Sequence, residues 1–202
     1  VKEMFKNYLK ISIRNLHKNK AFSLINIVGF AFGISICLGI AAFLLHEYSF
    51  DHYHGDSDRI YRLTDAQNNS SSIDYRVKDI LVSNYPEIEN ACLFQLLSYP
   101  MPVTVNNRGI YVESLLSTEN AFFKMFAIPI LFGNKDQPLP DQYSVVLTES
   151  AAKKLFGDEN PMGKNIELRH RFPLTVTGII QDFPDNSSIQ AQMIVNAKND
   201  DF

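Results

Sequence analysis

The sequence predicts an α+β extracytoplasmic domain preceded by one transmembrane helix and a basic amphipathic N-terminal helix. Three observations lead there. Residues 21–45 contain no Asp, Glu, Lys, Arg or His, and 19 of these 25 residues are apolar. Charge is split: the first twenty residues carry six basic side chains against Glu3, a net of +5, whereas the whole 202-residue chain stands at −3, which leaves −8 for the remainder. After Leu45 the pattern changes to short alternating segments separated by Gly, Pro, Asn and Asp, as strands and short helices require.

At the N-terminus, Lys2, Lys6, Lys10, Arg14 and Lys18 recur every four residues, while Phe5, Leu9, Ile13 and Leu16 recur at spacings of four, four and three. Both stripes fit one helix over residues 1–20, with Lys20 at its end. A basic amphipathic helix leading into a membrane span lies along the cytoplasmic headgroups, with its lysines toward anionic lipid. A solvated, frayed tail is the alternative, and the shared register of the two stripes argues against it.

The span is placed at residues 21–46. A 25-residue helix reaches about 37 Å, enough to cross a hydrocarbon core of about 30 Å with some tilt. Basic flanks stay cytoplasmic, so the N-terminus is expected inside and the acidic bulk after about residue 46 outside. A cleavable signal peptide also has a basic start, but its apolar region runs about 7 to 15 residues and ends in a small-x-small site. The exit through Leu45, His46 and Glu47 has no such site, so the segment reads as an uncleaved anchor. Within it, Gly29 and Gly33 form G-x-x-x-G, and Ser35 with Gly39 makes a second small pair. Glycine is common in membrane helices, yet flat small-residue faces together with Asn26 favour packing against further helices.

In the outer part, residues 59–63 read as a strand and 68–72 as a Ser-rich loop. Residues 75–85 read as a helix, with Val77, Ile80 and Leu81 at helical spacing and Pro86 as its stop, and 91–97 as a second strand, giving a βαβ-like unit. Beyond Pro100 and Pro102, residues 103–105 and 110–116 flank Asn106, Asn107, Arg108 and Gly109 as a hairpin. A short helix is expected over 119–126, a segment 128–132 ending at the turn residues Gly133 and Asn134, and a strand over 143–147. Thr148 caps a helix through Ala151, Ala152 and Leu155 that stops at Gly157. Residues 166–168 and 174–181 form a closing hairpin, after which the chain trails off.

No catalytic constellation is visible. Gly157 and Gly163-Lys164-Asn165 imitate a phosphate loop, but five residues separate the glycines, Asn165 replaces the metal-binding hydroxyl, and Asp158 and Glu159 repel phosphate. A turn is the better reading. His46-Glu47 begins like a zinc-protease helix, but Phe50 stands where the second histidine belongs. His52 and His54 are two ligands, short of a site. Cys37 lies in the span and Cys92 in an apolar run, so no disulfide framework exists, and Cys92 reads as a small buried hydrophobe, with a reactive thiol as the lesser alternative. Neither a cofactor nor a metal is expected, and the acidic outer part argues against nucleic acid.

The order of features resembles MacB/FtsX-like ABC transporter permeases. The match runs from the start at Met4 through Lys20 and the span from Ile25 to Gly33 to a junction of Phe50, Asp51, Tyr53, His54, Asp58, Arg59 and Arg62. It continues through Ala121 to Phe126, Ser144 to Ser150, Lys154 to Lys164, Val176 to Ile180, and Asp182-x-Pro184-x-Asn186-Ser187, which is similar to the family's MacB-type periplasmic core domain.

The resemblance implies a permease subunit, not itself an enzyme, that relays the motion of a separate or fused ABC ATPase to an extracytoplasmic domain for efflux or envelope transport. It implies a cytoplasmic helix at 1–20, a span at 21–46 and a core domain from 47 to 202 cut short at its C-terminus. Within that domain a porter-like βαβ part would cover 50–97 and an inserted mostly β part 98–185. Partners implied are the ATPase, a second permease chain, identical or related, the lipid membrane, and a periplasmic adaptor or outer-membrane component. The place implied is the bacterial inner membrane. Lys6, Lys10, Arg14, Lys18 and Lys20 would meet the membrane surface or the ATPase; Gly29, Gly33, Ser35 and Gly39 would pack against neighbouring helices. Tyr48, Phe50, Asp51, Tyr53, His54, Asp58 and Arg59 would join span to domain. A single-pass anchored sensory or interaction domain is the alternative.

Overall fold

A computed structural model describes residues 2–51, 59–66, 71 and 73–198. The chain separates into two compact units, Val1–Ser49 and Phe50–Phe202.

The first unit holds two helices, α1 (Lys2–Lys18) and α2 (Lys20–Tyr48). Asn19 breaks them with φ −112° and ψ 55°, although hydrogen bonds from Asn19 N to Asn15 O (3.1 Å) and from Ser23 N to Asn19 O (3.0 Å) run through the break. Over its most apolar window α2 has a mean hydropathy of 2.5, and it buries no residue within the protein. Among the described residues it is the one helix long and apolar enough to cross a membrane. An apolar surface of that length is stable where its surroundings are apolar too.

The second unit contains α3 (Arg76–Asn84), β1 (Phe94–Leu97), β2 (Met101–Val105), β3 (Arg108–Val112), β4 (Leu115–Thr118), α4 (Asn120–Met125), β5 (Ile130–Gly133), β6 (Ser144–Thr148), α5 (Glu149–Phe156), β7 (Asn165–Leu168), β8 (Phe172–Ile180) and β9 (Met193–Asn196). One mixed sheet runs in the order β1-β4-β9-β6-β8-β7-β2-β3, with β5 also paired to β8. The pairs β4–β9 and β6–β8 are parallel; the others are antiparallel.

Two cores explain the composition of the strands. Leu115, Val145, Leu147, Met193, Val195 and Val176 point to one side, where Ala151, Leu155 and Phe156 of α5 cover them. Leu116, Val146, Ile194 and Ile180 point to the other, against Phe122 and Phe123 of α4 and Leu139. Buried on both faces, β4, β6 and β9 are built from apolar residues and small hydroxyls, apart from Asn196 at the end of β9, whose amide donates to Leu139 O and Asp141 O. Strand β2 has one covered face and alternates: Met101, Val103 and Val105 are buried, while Pro102 and Thr104 are half-buried.

Local signals act as expected where they are strong. Val105 pairs with Arg108 across Asn106 and Asn107, whose φ values of 49° and 63° give the two-residue turn that asparagine tolerates. Thr148 Oγ1 accepts a hydrogen bond from Ala151 N at 3.3 Å, and Gly157 ends α5 with φ 64°.

Three expectations are corrected. Residues 59–63 form no strand: Tyr61 is 84% and Leu63 51% exposed, so neither side chain has a covered face that would hold an extended segment in a sheet. The βαβ-like unit therefore does not form among the described residues. Instead β1 pairs with β4, across the division at 97/98 that the porter-and-insertion reading placed between them. Second, residues 110–116 are not one strand; β3 ends at Val112 and β4 starts at Leu115 in another part of the sheet. Third, the hairpin β7–β8 is followed by β9, which occupies the sheet centre between β4 and β6.

Gly133 shows how tightly β5 lies on β8. With φ 111°, a Cβ there would sit 2.5 Å from Thr177 O and 2.9 Å from Gly178 Cα. Gly133→Ala is expected to destabilise the second unit by about 1–3 kcal/mol through strain and backbone displacement. Gly109→Ala, with nothing within 4 Å of the added Cβ, serves as the control. Thermal unfolding of the two variants checks this, and equal midpoints would contradict the close approach.

Candidate functional site

On α1, Lys6, Lys10, Arg14 and Lys18 form one exposed stripe. Lys20 does not continue it, because Asn19 interposes the break and Lys20 opens α2. On α2, an added Cβ at Gly29, Gly33 or Gly39 would meet nothing within 4 Å among the described residues. At about 100° per residue, Gly29 and Gly33 share one face, while Ser35 and Gly39 lie on another. Ser35 spends its hydroxyl on Ala31 O at 2.7 Å. Tyr48 is 75% exposed, and Ser49 Oγ donates to His46 O at 2.6 Å as α2 ends.

Inside the second unit, Phe50 and Asp51 are both half-buried. Asp51 adopts φ 58° and grips a distant loop at two points: its N–H donates to Asn186 O at 3.0 Å, and its Oδ1 accepts from Ser188 N at 2.8 Å. An aspartate suits this place because a short carboxylate tolerates the left-handed region and reaches a backbone N–H. The same loop is built by residues of the motif beginning at Asp182. Asp182 Oδ1 accepts from Ser150 Oγ (2.7 Å) and Ser150 N (3.2 Å) at the start of α5. Pro184 O accepts from Ser187 N (3.0 Å) and Gln190 Nε2 (2.6 Å). From there the chain enters β9. Of the other junction residues, Arg59 pairs with Glu89 at 2.6 Å, both side chains well exposed, while Tyr53, His54 and Asp58 lie outside the described residues.

The structure thus joins two stretches that the sequence reading named separately, Asp51 and the 182–187 motif. Ser188, the second anchor, was missed; its proximity to that motif was the available signal. The turn at 157–164 is a turn: Glu159 is paired with Lys164, whose hydrogen bond holds its carboxyl below the usual range, and the Lys164 ammonium also lies 5.4 Å from the Phe156 ring centroid. Elsewhere, α3 buries no residue but is tied to α4 by an ion pair between Lys78 and Glu119.

Comparison with known proteins places this geometry. A family profile for the MacB-like periplasmic core domain matches residues 23–200, from within α2 to past β9. The chain belongs to that family. A domain from a protein designated a permease, from Porphyromonas gingivalis, is similar at 27% identity with a TM-score of 0.52, over 60% of this chain and 56% of that one. The periplasmic region of MacB from Actinobacillus actinomycetemcomitans aligns at 20% identity and TM-score 0.49, over 72% of this chain and 62% of that one. The extracellular domain of the noncanonic ABC-type transporter YknZ from Gram-positive bacteria aligns at 16% and 0.39, over 51% and 54%. This MacB-like chain therefore spans 56% of the first of these structures and 62% of the second. No curated protein matches it.

Cys92, half-buried against the core that Phe122 and Phe123 of α4 help to fill, donates to Met125 Sδ at 3.6 Å. Burial chiefly, and then the Glu119 carboxylate, push its thiol up to about 11, with Lys78 opposing. Alkylation at pH 7.5 should be slower than for a free thiol by on the order of 100-fold, rising as pH approaches 11. Because the folded state keeps a proton that the unfolded chain loses, the matching stability is present below about pH 8.5 and declines as pH rises toward 11. Peptide mass mapping after timed iodoacetamide treatment checks the rate; rapid labelling of Cys92 at neutral pH would contradict it.

Proposed function

We propose that this chain is the first-span and outer-domain part of a permease subunit in a MacB/FtsX-type ABC transporter, relaying ATP-driven motion of a partner ATPase to the extracytoplasmic side for efflux or envelope transport. The observation that carries the reading is the succession of parts in one chain: a basic helix, an apolar helix, and a second unit within the MacB-like match whose second residue, Asp51, is fastened to the loop before its central strand.

In this reading α2 spans the inner membrane with α1 on the cytoplasmic side, as the charge split supports. The basic stripe of α1 meets the membrane surface or the ATPase, and the faces at Gly29, Gly33, Ser35 and Gly39 receive other helices. Displacement of α2 pulls on Phe50 and Asp51, and the hydrogen bonds to residues 186 and 188 pass that pull to β9 and the sheet. The chain itself hydrolyses no ATP and binds no cofactor; its partners are an ABC ATPase and a second permease chain, identical or related, with a periplasmic adaptor or outer-membrane component beyond.

Affinity purification of the full-length parent protein from its own membranes tests this. An ABC ATPase is expected to co-purify, with ATP hydrolysis stimulated by the complex. Gly33→Leu should reduce recovery of the second permease chain several-fold by blocking close helix approach. Recovery of no ATPase under conditions that preserve membrane complexes would turn the reading to an anchored sensory domain.

A further inference from the structure

Among the described helices of the second unit, α3 is the least anchored. It buries no residue, whereas α4 buries Phe122 and Phe123, and α5 buries Ala151, Ala152, Leu155 and Phe156. The inner face of α3, Val77, Lys78 and Leu81, is half-buried, while Ile80, Val82 and Tyr85 are exposed. With so little apolar area removed from water, packing alone holds the helix weakly. Its polar contacts are as sparse. Asp74 accepts from Val77 N and the Arg76 side chain, Asn84 Nδ2 donates to Ile80 O, and Ile88 N donates to Tyr85 O, so these bonds close within residues 74–88. Among the described residues, the Lys78–Glu119 ion pair is the one polar tie from α3 to the rest of the unit.

That tie stands beside a half-buried thiol. Each of the paired side chains is only 24% exposed, and the Cys92 thiol feels both charges, Glu119 pushing its pKa up and Lys78 pulling it down. Cys92 in turn donates to Sδ of Met125, the last residue of α4. At its C-terminal end α3 has a natural hinge: Tyr85 leaves the helix in the extended region, ahead of Pro86. We propose that α3 is a flap latched by Lys78 and Glu119, which lifts away when the pair breaks and uncovers Cys92 and Met125 while the sheet stays folded. An ion pair suits a latch, because on opening both charges return to water and neither is left stranded in the protein. The inference rests on the second unit alone and does not depend on what α2 spans.

The full chain, extracted from membranes in mild detergent, tests this through Cys92. Lys78→Met removes the ammonium and keeps an apolar stem of similar length. In a closed structure that loss takes away the charge that favours the Cys92 thiolate, so alkylation would slow; a released flap makes it faster. Iodoacetamide labelling of Cys92, separated from Cys37 by peptide mass mapping, is expected to rise about tenfold in the variant. A nine-residue helix without its packing is marginal in water, so hydrogen exchange at residues 81–84 should rise about tenfold as well, while the β9 amides keep their protection. Lys78→Glu combined with Glu119→Lys restores the pair with its charges exchanged and should return exchange at residues 81–84 to within about twofold of the unmodified chain. Slower or unchanged labelling in Lys78→Met, unchanged exchange in α3, no recovery in the exchanged pair, or loss of β9 protection together with α3, the sign of global unfolding, would overturn the proposal.

Discussion

The second unit depends on β9. This strand comes last among the described elements, yet it stands between β4 and β6, pairing parallel with the one and antiparallel with the other. Met193 and Val195 fill one core and Ile194 the other, all fully buried. Without it the sheet would split into two parts, each with an open edge and apolar faces exposed to water. The second unit's sheet is therefore completed by the last of its described strands, and whatever positions the loop before β9 bears on the whole sheet.

Asp51 is placed to hold that loop. It is the second residue of the second unit, and its partner Ser188 is 137 residues away. A backbone N–H and a carboxylate oxygen grip the loop at two residues, Asn186 and Ser188, on either side of Ser187. Asp182 in turn fastens the far side of that loop to the start of α5, which covers one of the two cores. A continuous set of hydrogen bonds and packed side chains thus runs from the entry point through the 182–190 loop to both the central strand and a covering helix.

Much of this was readable from sequence wherever the cause is local. A helix with one basic stripe, an uncharged 25-residue run, an Asn-Asn turn between alternating strands and a Thr-to-Gly helix carry their signals within a few residues, and all appear. Residues 59–63 misled because alternation alone does not supply a partner strand. β9 was passed over because four residues buried on both faces show no period, and only the two strands that flank it define it. The candidate site divides in the same way. Asp51 stood out by resemblance, whereas its task became visible once the fold brought Asn186 and Ser188 to it. The glycines of α2 were legible as small residues, and the break at Asn19 that ends α1 was not, because no Pro or Gly marks it.

Hydrogen exchange of the full chain carrying Asp51→Ala, compared with the unmodified protein by mass spectrometry, bears most directly on the link between entry point and sheet. Loss of the carboxylate acceptor should speed exchange at Ser188 by about three- to tenfold, the effect spreading over residues 184–190 while the β9 amides stay protected. Unchanged exchange across that loop would mean that Asp51 does not hold it.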